Sequence, residues 1–293
     1  MTTAFQSANI TTIYANELCT ARDLARAAGA AALRFYGNAN LDIRRKKADE
    51  PVTEADFAAN NVIVPALRDA FPDDGLLSEE STDDTRAPGN RLERERVWMI
   101  DPLDGTQGFI DGTGDFAVQI GLSFQGTPVV GIVYKPVTNV LYSAARGAGA
   151  WVERAGDAPQ SLRVSGRADL SAMRIAVSRS HRSPRMNEVI RSLGIREEVR
   201  SGSVGIKIGL IIENTCDLYV HLSPKSKQWD TCAPEAILRE AGGTLTDIFG
   251  KPYRYNTADV WNHNGIVATN GAAHTEVIER LAPVLTEFGR VPV

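Results

Sequence analysis

Hydrophobic positions near the start of the chain recur with the spacing of helices. Between residues 16 and 36 the apolar residues follow one another in steps of three and four, which predicts an amphipathic helix ending at Gly37. Thr53 and Asp56 have the spacing of a capping box, so a second helix is expected from there to about residue 70. Each helix would present one apolar face to a neighbouring layer.

After the second helix the pattern changes to strands. An apolar run at residues 97–100 leads directly into Asp101. Further strand-like runs, separated by turns that contain Gly, Pro or Asn, occupy residues 116–124, 129–134, 140–145 and 150–153. Short strands joined by tight turns are typical of an antiparallel meander. We therefore expect an antiparallel sheet packed under the two N-terminal helices.

From about residue 165 strands and helices alternate. The expected strands are 174–178, 217–222, 244–248 and 265–269, and the expected helices begin near 184, 205, 230 and 272. This alternation is typical of an α/β domain. The predicted organisation is thus an N-terminal α+β domain, residues 1–165, and a smaller C-terminal α/β domain, residues 166–293.

Composition narrows the functional classes. The chain has 293 residues and a formal net charge of −4, with 43% hydrophobic and 23% charged residues. This balance excludes global disorder and argues against binding to a nucleic acid polymer. There is no apolar run of 18 residues and no secretory signal pattern, so we expect no membrane association and a cytoplasmic location. With four histidines and three widely spaced cysteines, a metal site would use oxygen ligands.

The strongest chemical signal is the segment Asp101-Pro-Leu-Asp-Gly-Thr106, which directly follows a strand. Asp101 and Asp104 place two carboxylates on one tight turn, where they repel each other unless a cation or hydrogen-bond donors satisfy them. Hard divalent cations bind such oxygens, and the carbonyl of Leu103 can supply one more ligand. A turn whose aspartates cap backbone amides would show the same pattern.

Further acidic residues lie at the ends of predicted elements. Glu79 and Glu80 follow an apolar strand, Asp56 is at the third position of a helix, and Asp230 precedes a helix. Each has an ordinary explanation, namely a solvated pair for the glutamates and helix capping for the aspartates. A metal cluster in a cleft between two domains is the hypothesis that accounts for all of them together.

Four segments, in this order, resemble the motifs of the inositol monophosphatase-like superfamily of Mg²⁺-dependent, lithium-sensitive phosphatases. They are Pro51-Val-Thr-Glu-Ala-Asp56, Glu79-Glu80-Ser81, Asp101-Pro-Leu-Asp-Gly-Thr106, and Trp229-Asp230 with Ala241-Gly242-Gly243. The resemblance covers nearly the whole chain. It implies a layered α-β-α-β-α sandwich of the sugar-phosphatase type, with an N-terminal antiparallel sheet and two helices beside a smaller C-terminal α/β domain.

The resemblance also implies roles for the acidic residues. Two or three Mg²⁺ ions would be held by Glu79, Asp101, the Leu103 carbonyl, Asp104 and Asp230. Thr106 and Asp56 are the implied catalytic pair, in which the hydroxyl relays a proton from the attacking water to the carboxylate. The resemblance implies Glu79 rather than Glu80 as the ligand, because the family ligand is the first Glu of the Glu-Glu-Ser motif. On a strand the two side chains would point to opposite faces, so only one of them could reach the metals. The backbone amides of Gly105 and Thr106 would contact phosphate oxygens.

The C-terminal half resembles the 3′(2′),5′-bisphosphate nucleotidase branch. The resemblance lies in Ser178-Arg-Ser-His181, Gly202-Ser203 with Lys207, Lys227-Gln-Trp-Asp-Thr-Cys-Ala-Pro-Glu235 and Gly242-Gly-Thr-Leu-Thr-Asp247. It implies that Ser178, His181 and Ser203 bind ribose or base, that Lys207 binds the 5′-phosphate, and that Asp230 also faces the substrate. Gln107 departs from the branch, many members of which carry lysine there. The basic stretch 44–47 resembles a loop that closes over the metals in relatives, and a solvated strand edge would explain it equally well.

The favoured function is Mg²⁺-dependent removal of the 3′-phosphate from adenosine 3′,5′-bisphosphate, with 3′-phosphoadenylyl sulfate as a second candidate substrate. An inositol monophosphatase or sugar-phosphate phosphatase with the same metal chemistry is the alternative. A sensor that binds metal or nucleotide without turnover is a third hypothesis, which the complete set of acidic residues argues against. The only expected partner is the small-molecule substrate, and both a monomer and a homodimer fit the sequence.

Overall fold

The computed structural model describes residues 12–46, 50–81, 90–155, 157–179 and 182–293. Helix α1 spans Ala15–Leu33 and helix α2 spans Glu54–Ala70. Between them, β1 (Ile43–Arg45) and β2 (Pro51–Thr53) form a short antiparallel hairpin. Both predicted helices are confirmed, although α1 ends at Leu33 rather than at Gly37. Among the described residues, no helix combines the length and apolarity needed to cross a bilayer.

The first sheet has seven strands in sequential order. They are β3 (Gly75–Ser78), β4 (Arg96–Asp104), β5 (Ala117–Phe124), β6 (Thr127–Lys135), β7 (Val140–Ala145), β8 (Gly149–Glu153) and β9 (Gln160–Leu162). Strand β3 runs parallel to β4, and all later neighbours are antiparallel, which confirms the predicted meander. Apolar side chains of α1 and α2, such as Ala25 and Ile63, pack on one face of this sheet.

The second sheet has five strands in the order β11-β10-β12-β14-β13. The strands are β10 (Arg174–Ser178), β11 (Glu197–Ser201), β12 (Leu218–His221), β13 (Thr244–Thr246) and β14 (Ile266–Thr269). The helices that accompany it are α4 (Arg185–Leu193), α5 (Val204–Ile212), α6 (Gln228–Glu240) and α7 (His274–Glu287). Strand β11 was not predicted, because it is a largely exposed edge strand without an apolar alternation.

The elements stack in five layers. Helices α5 and α6 share an apolar cluster with strands of both sheets, so they lie between them. Helices α4 and α7 cover the outer face of the second sheet, and α1 and α2 cover that of the first. The α-β-α-β-α sandwich is therefore confirmed. The boundary after residue 165 falls between the two sheets, but α6 packs on both, and the division into two domains stays a prediction.

Helix α6 reaches the first sheet through two facing glycines. Gly121 of β5 and Gly131 of β6 pair in the antiparallel register. A Cβ atom on Gly131 would lie 2.3 Å from the carbonyl oxygen of Ala233, and one on Gly121 would lie 2.8 Å from the Cys232 Sγ. We call this pair the glycine notch. It lets the backbone of α6 approach the sheet at Cys232 and Ala233, one turn after the start of the helix. Asp230 was expected to precede this helix, but it is the third residue of α6.

Candidate active site

The turn after β4 has the tight geometry that its sequence predicts. The Asp101 carboxylate accepts a hydrogen bond from the Leu103 N–H at 3.0 Å, and the β4–β5 register shifts between Asp101 and Asp104. Gly105 has a φ of 98°, and a Cβ there would lie 2.5 Å from the Asp115 carbonyl oxygen. Glycine is thus required both for the left-handed backbone and for the close approach. Helix α3 (Thr106–Ile110) follows at once.

Four carboxylates from distant parts of the chain meet at this turn. Burial raises the pKa of Asp101 well above its ordinary value, and the charges of Glu79, Asp104 and Asp230 raise it further. Burial likewise raises the pKa of Asp230, with added repulsion from Glu79 and Asp104. Carboxylates raise one another's pKa in this way when they lie near one another. The structure therefore brings together the acidic side chains that the sequence analysis selected.

Asp104 is held through one of its two oxygens. Its Oδ2 accepts hydrogen bonds from Gln119 Nε2 and Ser203 Oγ, each at 2.5 Å, and from the Gly205 N–H at 3.0 Å. Burial raises the pKa of Asp104, while the bonds from Ser203 and Gly205 act in the opposite direction. Gln119 belongs to β5, and the other two donors belong to the start of α5. Asp104 thus joins the first sheet to the helical layer between the sheets.

The two adjacent glutamates do not behave as strand residues. Strand β3 ends at Ser78, and Glu79 and Glu80 lie in the turn after it. Lys46 Nζ donates to Glu79 Oε1 at 2.9 Å and also bonds Glu80 Oε1. The expectation that their side chains point to opposite faces is wrong, because strand alternation stops where the strand ends. Burial, followed by the charge of Glu79, raises the pKa of Glu80 to about 7.

The carboxylate and carbonyl oxygens of the site are of the kind that binds a hard divalent cation, but they do not surround a common point. Within the described residues, no three His, Cys, Asp or Glu side chains are grouped so that they could hold a metal ion. Two contacts involve the expected ligands: Lys46 forms an ion pair with Glu79, and the Gly205 N–H bonds to Asp104 Oδ2. The remaining donors are carboxylate oxygens and the Leu103 carbonyl, which accepts from Thr106 Oγ1 at 3.3 Å. All-oxygen ligands of this kind fit Mg²⁺, provided that Lys46 leaves Glu79.

Asp56 combines helix capping with a contact to the turn. Its Oδ2 accepts from the Thr53 N–H at 2.8 Å and from Thr53 Oγ1 at 2.7 Å, which forms the predicted capping box. Its Oδ1 accepts from Thr106 Oγ1 at 3.2 Å. Burial raises the pKa of Asp56. The Thr106 hydroxyl thus lies within hydrogen-bond distance of both Asp56 Oδ1 and the Leu103 carbonyl, and its single proton is shared between these two acceptors.

The residues expected to bind ribose or base are only partly described. Ser178 ends β10 and pairs with Ser201 of β11, two residues before Ser203. His181 and Lys47 lie outside the described residues. Ser178 lines a cavity of about 40 Å³, close to the share of liquid volume taken by one water molecule. This cavity is therefore too small to be a preformed pocket for a purine base.

Lys207, the expected contact for the 5′-phosphate, is buried in the structure. It is 2% exposed, and its Nζ donates to the Ser203 carbonyl at 2.7 Å and lies 4.8 Å from the centre of the Tyr219 ring. Burial lowers the pKa of Lys207 to about 8. The hydroxyl of Ser203 donates to Asp104 and accepts from the Ile206 N–H at 3.1 Å. Substrate contacts of Lys207 and Ser203 stay predictions.

Sequence reasoning missed Gln119, and it assigned Lys227 either to the entrance of the site or to a surface charge pair. Gln119 is an amide within the apolar run of β5, and that break in the pattern is the signal that could have identified it. Lys227, three residues before Asp230, donates from Nζ to Glu50 Oε2 at 2.7 Å and lies 4.7 Å from the Trp261 ring. This partly buried ion pair attaches the β1–β2 hairpin to the start of α6.

Comparison with known protein families gives one match that spans most of the chain. The model of the inositol monophosphatase family matches residues 14–286. Among curated proteins, the 3′(2′),5′-bisphosphate nucleotidase CysQ of Escherichia coli K12 is 38% identical over 245 residues, covering 83% of this chain and 95% of that protein. The Salmonella typhimurium LT2 protein of the same name is 39% identical over 247 residues, covering 84% and 96%.

Solved structures of both kinds of phosphatase resemble this fold. CysQ from Bacteroides thetaiotaomicron has a TM-score of 0.75 at 30% identity, with 88% of this chain and 98% of that chain covered. The inositol monophosphatase of Thermotoga maritima has a TM-score of 0.78 at 26% identity, with 94% and 100% covered. The fold alone does not distinguish between the two substrate classes that these names describe.

Proposed function

Because the chain belongs to the inositol monophosphatase family and is thus a phosphatase, we propose that it removes the 3′-phosphate of adenosine 3′,5′-bisphosphate, giving AMP and inorganic phosphate. The observation that carries the proposal is the convergence of four carboxylates beside the Thr106–Asp56 hydrogen bond. The choice of substrate is supported by the relatives at 38% and 39% identity, which are named as bisphosphate nucleotidases. 3′-Phosphoadenylyl sulfate carries the same 3′-phosphate and is the second candidate substrate.

The residues that would hold Mg²⁺ are those that repel one another in the structure. Two or three ions would be bound by Glu79, Asp101, the Leu103 carbonyl, Asp104 and Asp230. Bound Mg²⁺ supplies stabilisation of the negative charge on the transferring phosphoryl group and makes a coordinated water more acidic. Lithium inhibition belongs to the same proposal, because it would act at these ligands.

The chain's own residues would move the proton and hold the substrate. Thr106 Oγ1 would accept the proton of the attacking water while its own proton passes to Asp56 Oδ1, along the bond of 3.2 Å. The amides of Gly105 and Thr106 would hold phosphate oxygens at the start of α3. In the second half of the chain, Ser178, His181, Ser203 and Lys207 are the proposed contacts for the nucleoside and its second phosphate, next to Asp230.

Phosphate release from two substrates tests the proposal. Adenosine 3′,5′-bisphosphate and inositol 1-phosphate are compared with and without Mg²⁺. We expect Mg²⁺-dependent release that strongly favours the nucleotide, and Asp101→Asn should nearly abolish it at saturating Mg²⁺. A preference for inositol phosphate would keep the metal chemistry and refute the proposed substrate. Nucleotide binding without any phosphate release would favour a sensor instead.

A further inference from the structure

Gln119 is an amide side chain in the middle of an apolar strand. It is 0% exposed and lies opposite Asp101 in the β4–β5 pair. A buried amide destabilises a fold unless its hydrogen bonds are made. Its Nε2 donates to Asp104 Oδ2, whereas its Oε1 has no hydrogen-bond partner in the described part of the chain. The one side-chain bond that Gln119 makes is therefore directed at a proposed metal ligand.

Three donors fill the capacity of Asp104 Oδ2. Besides Gln119, Ser203 Oγ at 2.5 Å and the Gly205 N–H at 3.0 Å bond to the same oxygen. Since each carboxylate oxygen offers about two lone pairs, Oδ2 has no lone pair left for a cation. The other oxygen, Oδ1, is then the one that can face a metal ion. The three bonds also fix the rotation of the carboxylate.

We propose that Gln119 is a positioning residue for Mg²⁺, because its hydrogen bond to Asp104 Oδ2 directs Oδ1 toward the ion. The inference rests on the proposed metal-dependent phosphatase function. Gln119 acts through Asp104 and contacts neither substrate nor metal. Hydrogen-bond partners of metal ligands orient them, and the loss of one such partner weakens metal binding by about tenfold to a hundredfold.

The test compares Gln119→Met, which keeps the length of the side chain and removes the donor, with the wild type. Calorimetric titration with Mg²⁺ alone should give a Kd about tenfold to a hundredfold higher for the variant. The Mg²⁺ concentration for half-maximal activity should rise in parallel, while KM for the bisphosphate at saturating Mg²⁺ stays unchanged and high Mg²⁺ restores kcat. Gln160→Met, the same change on the exposed strand β9, should leave all of these values as in the wild type.

A structural role would give a different result. If Gln119→Met has a wild-type circular dichroism spectrum and a wild-type Kd for Mg²⁺, or loses kcat without a change in that Kd, the inference is overturned. Should this variant fail to fold, Ser203→Ala removes a second donor to the same oxygen and should raise the Kd for Mg²⁺. A wild type that binds Mg²⁺ without releasing phosphate would refute the proposed function alone, whereas a wild type that binds no Mg²⁺ would refute both.

Discussion

Asp56 and Asp104 each divide their two carboxylate oxygens between two tasks. In Asp56, Oδ2 caps α2 and Oδ1 accepts from Thr106. In Asp104, Oδ2 bonds to the protein, and Oδ1 is the oxygen proposed to face a cation. For Asp56, capping and catalysis are therefore compatible explanations of one residue. For this reason the ordinary explanation of a helix-end carboxylate does not count against its role in chemistry.

Lys207 carries a charge whose burial is unfavourable. Since burial lowers its pKa from 10.5 to about 8, the charged form is less stable in the folded than in the unfolded chain at pH 7. Lys207→Met should therefore raise the free energy of unfolding by about 1–3 kcal/mol at pH 7 in the absence of Mg²⁺. The same variant should weaken the binding of bisphosphate substrates much more than that of monophosphates, because the proposed contact is to the second phosphate. Urea denaturation and KM measurements on both substrate types check the two effects.

Lys251→Met is the matched control, because Lys251 is exposed. It should change neither the free energy of unfolding nor the substrate ratio appreciably. An equal rise of KM for both substrate types in Lys207→Met would show that Lys207 does not bind the second phosphate. A loss of stability in that variant would contradict the interpretation that its charge is buried at a cost.

Contacts between residues close in sequence could be predicted at the site, whereas contacts between residues far apart in the chain could not. The turn at Asp101 and the capping box of Asp56 follow from local spacing, since each involves residues within a few positions. The contacts of Lys46 with Glu79 and of Ser203 with Asp104 join residues far apart in the sequence. No local pattern encodes such pairs, so the burial of Lys207 and the contacts of Gln119 became visible only in the fold.

At the scale of elements, α6 is the part that brings the two halves into one site. Its first turn carries Asp230, and the residues after it rest in the glycine notch of Gly121 and Gly131. The helix was predicted from the alternation of strands and helices after residue 165. The notch was not predicted, because the two glycines lie on different strands and only the strand register places them side by side. The edge strand β11 was missed for the opposite reason, since its side chains are too polar to show an alternation.

Gly131→Ala should separate α6 from the first sheet. The new methyl group would lie 2.3 Å from the Ala233 carbonyl oxygen and 2.9 Å from the Ala236 Cβ, so the helix must move away. Overpacking of this kind destabilises proteins by about 1–3 kcal/mol. We expect that loss in urea denaturation, together with a higher Mg²⁺ requirement, because Asp230 moves with the helix.

Gly166→Ala provides the comparison, because no atom lies within 4 Å of the added Cβ. It should leave both stability and the Mg²⁺ requirement unchanged. Wild-type stability in Gly131→Ala would contradict the close approach of α6 to the sheet.

At the scale of the whole molecule, a buried carboxyl on α6 should make stability depend on pH. Glu235 is 4% exposed and accepts from the Tyr255 hydroxyl at 2.7 Å, and burial raises its pKa from 4.5 to about 7. The folded chain thus retains a proton that the unfolded chain releases, so this contribution to stability is complete below pH 4.5 and is lost as the pH rises through 7. The loss amounts to about 3 kcal/mol.

Glu235→Gln should remove that part of the pH dependence, because the amide keeps an oxygen for Tyr255 and has no proton to release. Urea denaturation at pH 5 and pH 8, without Mg²⁺, should show a smaller difference between the two conditions than in the wild type. Glu276→Gln, an exposed carboxylate paired with Arg280 on α7, should keep the wild-type difference. An unchanged difference in Glu235→Gln would rule out a raised pKa for Glu235.

The glycine notch is synthesised well before the helix that packs against it. Strand β9 completes the first sheet at Leu162, whereas α6 ends at Glu240. At roughly 5–20 residues per second, the helix leaves the ribosome on the order of 4 to 16 s after the sheet. During that interval α6 cannot cover the backbone at Gly121 and Gly131. Asp230 is also absent from the group that it forms with Glu79, Asp101 and Asp104. A chain released before α6 is made would therefore contain Glu79, Asp101 and Asp104 but lack Asp230, the fourth of the proposed carboxylate ligands.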